Sequence, residues 1–143
     1  MDEPGIEIAA LQNIPFFAGL DPADLDGVLR VGVPVSFEAD EPIVEEGDRG
    51  DAMYVVVSGE ARVDVGGRFH ILKPGDFFGE MALIAPSRRM ATVKAVAPVS
   101  ALRIPADDFQ SFLLQHPSVA LAMLKAIILR LREVEQRIDA WMA

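Results

Sequence analysis

Phe77-Phe78-Gly79-Glu80-Met81-Ala82-Leu83-Ile84-Ala85-Pro86-Ser87-Arg88-Arg89-Met90-Ala91-Thr92-Val93-Lys94-Ala95 is the stretch around which this chain is organised. Gly79 marks a turn that opens into a short apolar run. The run from Glu80 to Ile84 has room for little more than one helical turn before Pro86 ends it. Two arginines follow, and Thr92-Val93 starts a strand. The unpaired N–H groups at a helix start form an anion site. An arginine folded back over the same spot offers a planar fork matched to phosphate oxygens. Glu80, at the mouth of such a site, cannot bind phosphate, but it can accept a hydrogen bond from a hydroxyl such as a ribose 2′-OH. Phosphate and hydroxyl recognition close together in sequence suggest a nucleotide.

Outward from this stretch the chain reads as strands on both sides. Val33-Pro34-Val35-Ser36-Phe37 alternates, and Pro42-Ile43-Val44 precedes a turn over Glu46-Gly47-Asp48-Arg49-Gly50-Asp51. Met53 to Val57 is a β-branched apolar run closed by Ser58-Gly59. Ala61 to Val65 alternates strictly and meets Phe69-His70-Ile71-Leu72 across Gly66-Gly67, a loop that predicts a hairpin. Pro74-Gly75-Asp76 is a further turn, and Thr92 to Val96 and Val99 to Ile104 are the last two strands. Many short strands with glycine turns predict an antiparallel sandwich or roll. Gly47, Gly50, Gly59 and Gly75 are assigned to turn geometry rather than to ligand contact.

Helices flank the strands. Ile6 to Ile14 carries a weak helical pattern that Pro15-Phe16-Phe17 breaks. Asp21 as N-cap and Pro22 at the first helical position open a second helix, with Leu25, Val28 and Leu29 on one stripe. After Pro105, Ala106 to Leu114 is one short helix. His116-Pro117 is a break, and Ser118 is the expected cap of a long helix from about Val119 to Trp141. Leu124, Ile127, Leu131, Val134, Ile138 and Trp141 in that helix follow a heptad spacing. Leu121, Ile128 and Leu129 add a second apolar stripe in its first half. One face is expected to pack on the sheet and the other to meet a partner.

The chain has 143 residues, 51% of them hydrophobic, which suits one domain with a real core. The segments are 1–32, N-terminal and helical; 33–104, the roll, with the site stretch 77–95; and 105–143, the C-terminal helices. There is no cysteine, which excludes a disulfide framework, a thiol nucleophile and a thiolate metal site. His70 and His116 stand apart, so no metal constellation is visible. No apolar run has membrane-spanning length and no leader is recognisable, so a soluble cytoplasmic protein is expected. The net charge is −9, with fourteen acids in residues 1–60 against Arg30 and Arg49. That field argues against nucleic-acid binding. It also repels a phosphate ligand, which makes local arginines more necessary.

The order Phe-Gly-Glu-x-Ala-Leu, a short loop, then Arg-x-Ala-Thr-Val resembles the phosphate-binding cassette of cyclic nucleotide-binding domains. These serve the regulatory subunits of cyclic-AMP-dependent protein kinase, cyclic-nucleotide-gated channels and the catabolite activator protein. The glycines around Met53-Tyr54-Val55-Val56-Val57 and the segment Phe16-Phe17-Ala18-Gly19-Leu20 are also similar to the family, so the resemblance runs from Phe16 to the last helix. It implies an α+β fold: an antiparallel, jelly-roll-like β-roll flanked by N-terminal helices and a long C-terminal helix. In its register Arg89 holds the phosphate and Glu80 the ribose. Phe78, Gly79, Met81, Ala82, Met90 and Ala91 complete the ligand site. Arg88 stands where the family usually has proline, and Met90 where it usually has a small residue. A threonine at position 90 favours guanine in this family; Met90 has no hydroxyl, so the resemblance leans to cyclic AMP over cyclic GMP. The base is expected against the last helix near Leu131.

The implied function is a cyclic-nucleotide sensor, not an enzyme, with no cofactor and no metal, that moves its C-terminal helix and dimerises through residues 119–141. Two other readings stay open. A cupin-like metal oxygenase on a similar roll needs inward histidines that two isolated ones do not supply. A scaffold with an unoccupied pocket is opposed by Gly79, Glu80 and Arg89. The catabolite-activator branch continues into a helix-turn-helix; with Trp141 two residues from the end, none is expected here, and the chain either works alone or is the sensor of a longer kinase, channel, cyclase or regulator.

Overall fold

The computed structural model describes residues 8–14, 17–83 and 87–142. A short helix α1 (Ile8–Gln12) and a longer α2 (Pro22–Val31) lead into the strands. The start of α2 is set by Pro22 and by the extended backbone of Asp21, whose carbonyl accepts from Leu25 N at 3.0 Å. The Asp21 side chain makes no cap hydrogen bond, so it caps by position alone. Leu25 and Val28 are fully buried. Ile6, Pro15 and Phe16 lie outside the described residues.

The strands are β1 (Val33–Phe37), β2 (Pro42–Val44), β3 (Arg49–Gly50), β4 (Ala52–Ser58), β5 (Ala61–Val65), β6 (Arg68–Leu72), β7 (Phe77–Phe78), β8 (Ser87–Arg88), β9 (Thr92–Ala95) and β10 (Val99–Pro105). They form two antiparallel four-stranded sheets, ordered β1-β10-β4-β7 and β2-β9-β5-β6, and a two-stranded ribbon β3-β8. The β5–β6 hairpin closes at Gly66-Gly67, with φ of 57° and 79°, and pairs Val65 with Arg68. The stretch Glu46 to Asp51, expected as a turn, contains β3. Phe77-Phe78 and Ser87-Arg88 are strands as well. A two-residue pairing has no periodicity to betray it.

Strand β4 explains why a run rather than an alternation marks the centre of the fold. Met53 and Val55 pack with Leu102 and Ile104 against the helices. Val56 packs the other way, with Ala61, Leu72 and Val93 inside the roll. A strand covered on both faces reads as continuously apolar. Each side chain of the size of Leu or Phe buried this way contributes about 1.5–3 kcal/mol.

Helices α3 (Ala106–Gln115) and α4 (Pro117–Met142) turn through 113° at His116. Ser118 lies inside the first turn of α4 and is not its cap. Its hydroxyl donates to Asp24 Oδ2 of α2 at 2.9 Å, and His116 Nδ1 lies 3.2 Å from Asp24 Oδ1. The face of α4 that packs on the body is Val119, Ala122, Met123 and Ala126. Leu121, Ile128 and Leu129 are exposed, as are Leu124, Ile127, Leu131 and Val134. Neither apolar stripe of the sequence is the packing face: Val119 and Met123 are its buried members, with Ala122 and Ala126 partly buried beside them. The side chains at 138 and 141 lie outside the described residues.

Candidate functional site

Arg89 follows β8, and its backbone is held on both sides by the loop before β3. Arg89 N donates to Asp48 O at 2.7 Å, and Gly47 N donates to Arg89 O at 2.9 Å. The side chain then runs inward between two glycines. A Cβ on Gly79 would stand 2.4 Å from Arg89 Nη1 and 2.9 Å from Ala52 O. A Cβ on Gly50 would stand 2.9 Å from Ser87 O and 3.1 Å from the Arg89 guanidinium. Gly79 also has φ of 79°, a conformation side chains disfavour. Gly50 needs no positive φ, so its role is room for Arg89 and not the turn geometry its sequence context predicts.

The Arg89 guanidinium donates from Nη2 to Ala52 O at 2.8 Å and stands 5.9 Å from the Tyr54 ring centre. Tyr54 in turn stacks on Phe78 with ring centres 5.1 Å apart. Burial pulls the pKa of Arg89 below its ordinary value, opposed by the attraction of Tyr54 and Asp51. A guanidinium nevertheless stays charged at neutral pH. Among the described residues no carboxylate forms an ion pair with it; Asp51 pairs with Arg103 at 3.3 Å. Arg89 is thus a half-buried cation that Asp51 and Asp48 attract without forming an ion pair, in a chain of net charge −9.

That cation borders a cavity of about 160 Å³ between the two sheets. The 3-10 turn Glu80–Leu83 supplies Glu80, Met81 and Ala82 to its wall, and Phe78 and Gly79 precede them. Met90 and Ala91 supply the wall after Arg89. Eight of the nine expected site residues therefore border one cavity. Leu131 does not: it is 56% exposed on α4 and is not part of the cavity lining. The contact of α4 with this region comes one residue earlier. Arg130 Nη1 donates to Phe77 O at 3.3 Å, and the guanidinium covers the Phe77 ring at 4.3 Å.

A family model described as cyclic nucleotide-binding domain matches residues 34–116. The chain belongs to the cyclic nucleotide-binding domain family. The cGMP-dependent protein kinase of Toxoplasma gondii is 41% identical over 86 residues, covering 59% of this chain and 9% of that protein. The cyclic AMP receptor protein of Thermus thermophilus is 31% identical over 135 residues, covering 90% of this chain and 62% of that protein. The solved N-terminal domain of a transcriptional regulator from Streptomyces coelicolor A3(2) superposes with a TM-score of 0.70 at 30% identity. It covers 90% of this chain and 93% of that one. This chain spans less than two thirds of either curated relative.

Sequence reasoning missed part of this cyclic nucleotide-binding domain's cavity. Val44, Val63 and Val93 line it from three strands of the second sheet, with Ser87 from β8. The only signal was alternation, which says that Val63 and Val93 face inward but not that a cavity lies there. Arg88 also borders the cavity, yet it is exposed and donates from Nη1 to Gly47 O at 2.8 Å. The Thr92 hydroxyl accepts from Glu46 N at 3.0 Å. It ties β9 to the loop that holds Arg89. Among the described residues no group of three histidine, cysteine or acidic side chains is placed to hold a metal, and no single helix is long and apolar enough to cross a membrane.

Proposed function

We propose that this chain binds a cyclic nucleotide, with cyclic AMP preferred over cyclic GMP, and passes the binding event to α4 as a regulatory, non-catalytic module. The observation that carries the reading is the half-buried Arg89 guanidinium, which has no ion-pair partner among the described residues and is held between Gly50 and Gly79 at the wall of a largely apolar cavity. The cyclic phosphate sits against Arg89 and the turn after Gly79. Glu80 accepts from the ribose 2′-OH. Phe78, Met81, Ala82, Met90 and Ala91 enclose the rest. Met90 offers no hydroxyl to guanine, which favours adenine. Relatives named for each nucleotide exist, so the choice rests on this chain's own residues.

The same reading makes the chain one domain: 1–32 helical, 33–104 the roll with its cassette 77–95, and 105–143 the lid and dimer helices. Leu131 belongs to the proposed site only through a movement of α4 that brings it over the base. Isothermal titration of the purified chain tests the reading. Cyclic AMP is expected to bind, and cyclic GMP to bind more weakly. No heat with either nucleotide sinks it.

Glu80→Gln is expected to weaken cyclic AMP by about tenfold, the size of one hydrogen bond to a charged acceptor made neutral. The 2′-deoxy analogue, which has no such donor, is expected to bind the two proteins alike. Equal losses for both ligands would mean that Glu80 acts on the turn and not on the ribose.

A further inference from the structure

Two methionines stand exposed at the cavity wall, whereas Met53 and Met123 are buried. Met81 is 63% exposed and Met90 is 73% exposed, and both border the cavity. Met53 and Met123 are 0% and 6% exposed. Met81 lies in the 3-10 turn on one side of Arg89, and Met90 is the residue directly after Arg89. The surface they share with Val44, Val63 and Val93 is apolar, the kind of wall on which a purine face rests.

Thioether reactivity follows access to the sulfur lone pair. With a peroxide, the sulfur lone pair attacks one peroxide oxygen. The S–O bond forms as the O–O bond breaks, and the peroxide departs as water (or an alcohol). Sulfur is oxidised by two electrons and the peroxide is reduced by two. The product is a sulfoxide, which turns a flexible apolar side chain into a polar one and is reversed by methionine sulfoxide reductases.

We infer that Met81 and Met90 are a reversible oxidation site through which peroxide lowers the affinity of this domain for its nucleotide. The inference rests on the nucleotide reading given above and adds its regulation. Two sulfoxide dipoles on the apolar wall must be desolvated when the base arrives. A bound nucleotide covers the same sulfurs and so slows their reaction with peroxide.

The test treats the purified chain with hydrogen peroxide, with and without saturating cyclic AMP. Oxidation at each methionine is followed by peptide mass spectrometry and binding by calorimetry. Met81 and Met90 are expected to oxidise well before Met53 and Met123, and more slowly with cyclic AMP present. Affinity is expected to fall about tenfold, as for partial loss of one buried apolar side chain. Methionine sulfoxide reductases of both epimer specificities are expected to restore it. The Met81→Leu/Met90→Leu chain, whatever its starting affinity, is expected to lose none on peroxide treatment. Affinity unchanged after both sulfurs are oxidised overturns the inference, and so does Met53 reacting as fast as Met90. An untreated chain that binds no cyclic nucleotide removes the nucleotide reading itself, whereas binding that survives oxidation removes only this inference.

Discussion

Arg89→Ala is expected to weaken cyclic AMP binding by about 2–5 kcal/mol, on the order of thirtyfold to several-thousandfold. The phosphate is the only charged part of the ligand, and Arg89 is the half-buried cation at the cavity wall without a carboxylate partner among the described residues. The folded chain without ligand should tolerate the change. Arg89 gives one hydrogen bond to Ala52 O, worth about 1 kcal/mol net, and removing it also removes a partly desolvated unpaired charge. Thermal unfolding without ligand is therefore expected to shift little, while the stabilisation that cyclic AMP confers disappears. Arg88→Ala is the control. Its side chain is exposed and donates to Gly47 O, so a small loss is expected. Equal and small losses for the two variants would remove Arg89 from the phosphate role.

Leu131→Asp combined with Ile138→Asp is expected to convert a dimer into a monomer, measured by light scattering. The body of the protein takes the Val119, Ala122, Met123 and Ala126 face of α4. That leaves Leu124, Ile127, Leu131 and Val134 at 52%, 38%, 56% and 43% exposure, on a heptad spacing that a second copy of the helix would cover. An aspartate buried in such a seam without a partner costs about 3–5 kcal/mol. The monomer is expected still to bind cyclic AMP, but more weakly. A ligand shifts a helix only by binding one of its positions better than the other. Arg130 already joins α4 to Phe77, next to the cavity residue Phe78, so a helix freed from its partner alters the closed position that favours the base. A wild type that is monomeric at high protein concentration would end the dimer proposal and leave the lid proposal to stand alone.

Much of this fold is local, and local features were legible. Gly66-Gly67 predicts its hairpin because two successive left-handed residues cost glycine little. Pro22 starts its helix as expected because a fixed φ and a missing N–H suit only the first turn, and Pro117, read as part of a break, turns out to start α4 for the same reason. The apolar run of β4 marks a strand covered on both faces, and the stretch that holds Gly79, Glu80 and Arg89 does border one cavity. None of these depends on a distant residue.

The tertiary structure decided the features that join residues far apart in the chain. Ribbon β3-β8, which carries Arg89 to the cavity, pairs two residues with two, too few for a pattern. Gly50 is required by the Ser87 carbonyl and the Arg89 guanidinium, both far along the chain, so its own neighbours advertise only a turn. The hydroxyls of Thr92 and Ser118 serve Glu46 and Asp24, partners that no spacing predicts. The last helix makes the division sharpest. Periodicity showed that α4 has apolar stripes, but not which face would be covered. The body takes the face of Val119 and Met123, with Ala122 and Ala126 beside them, and leaves the leucine stripes exposed, a choice set by the surface that α3 and the strands present.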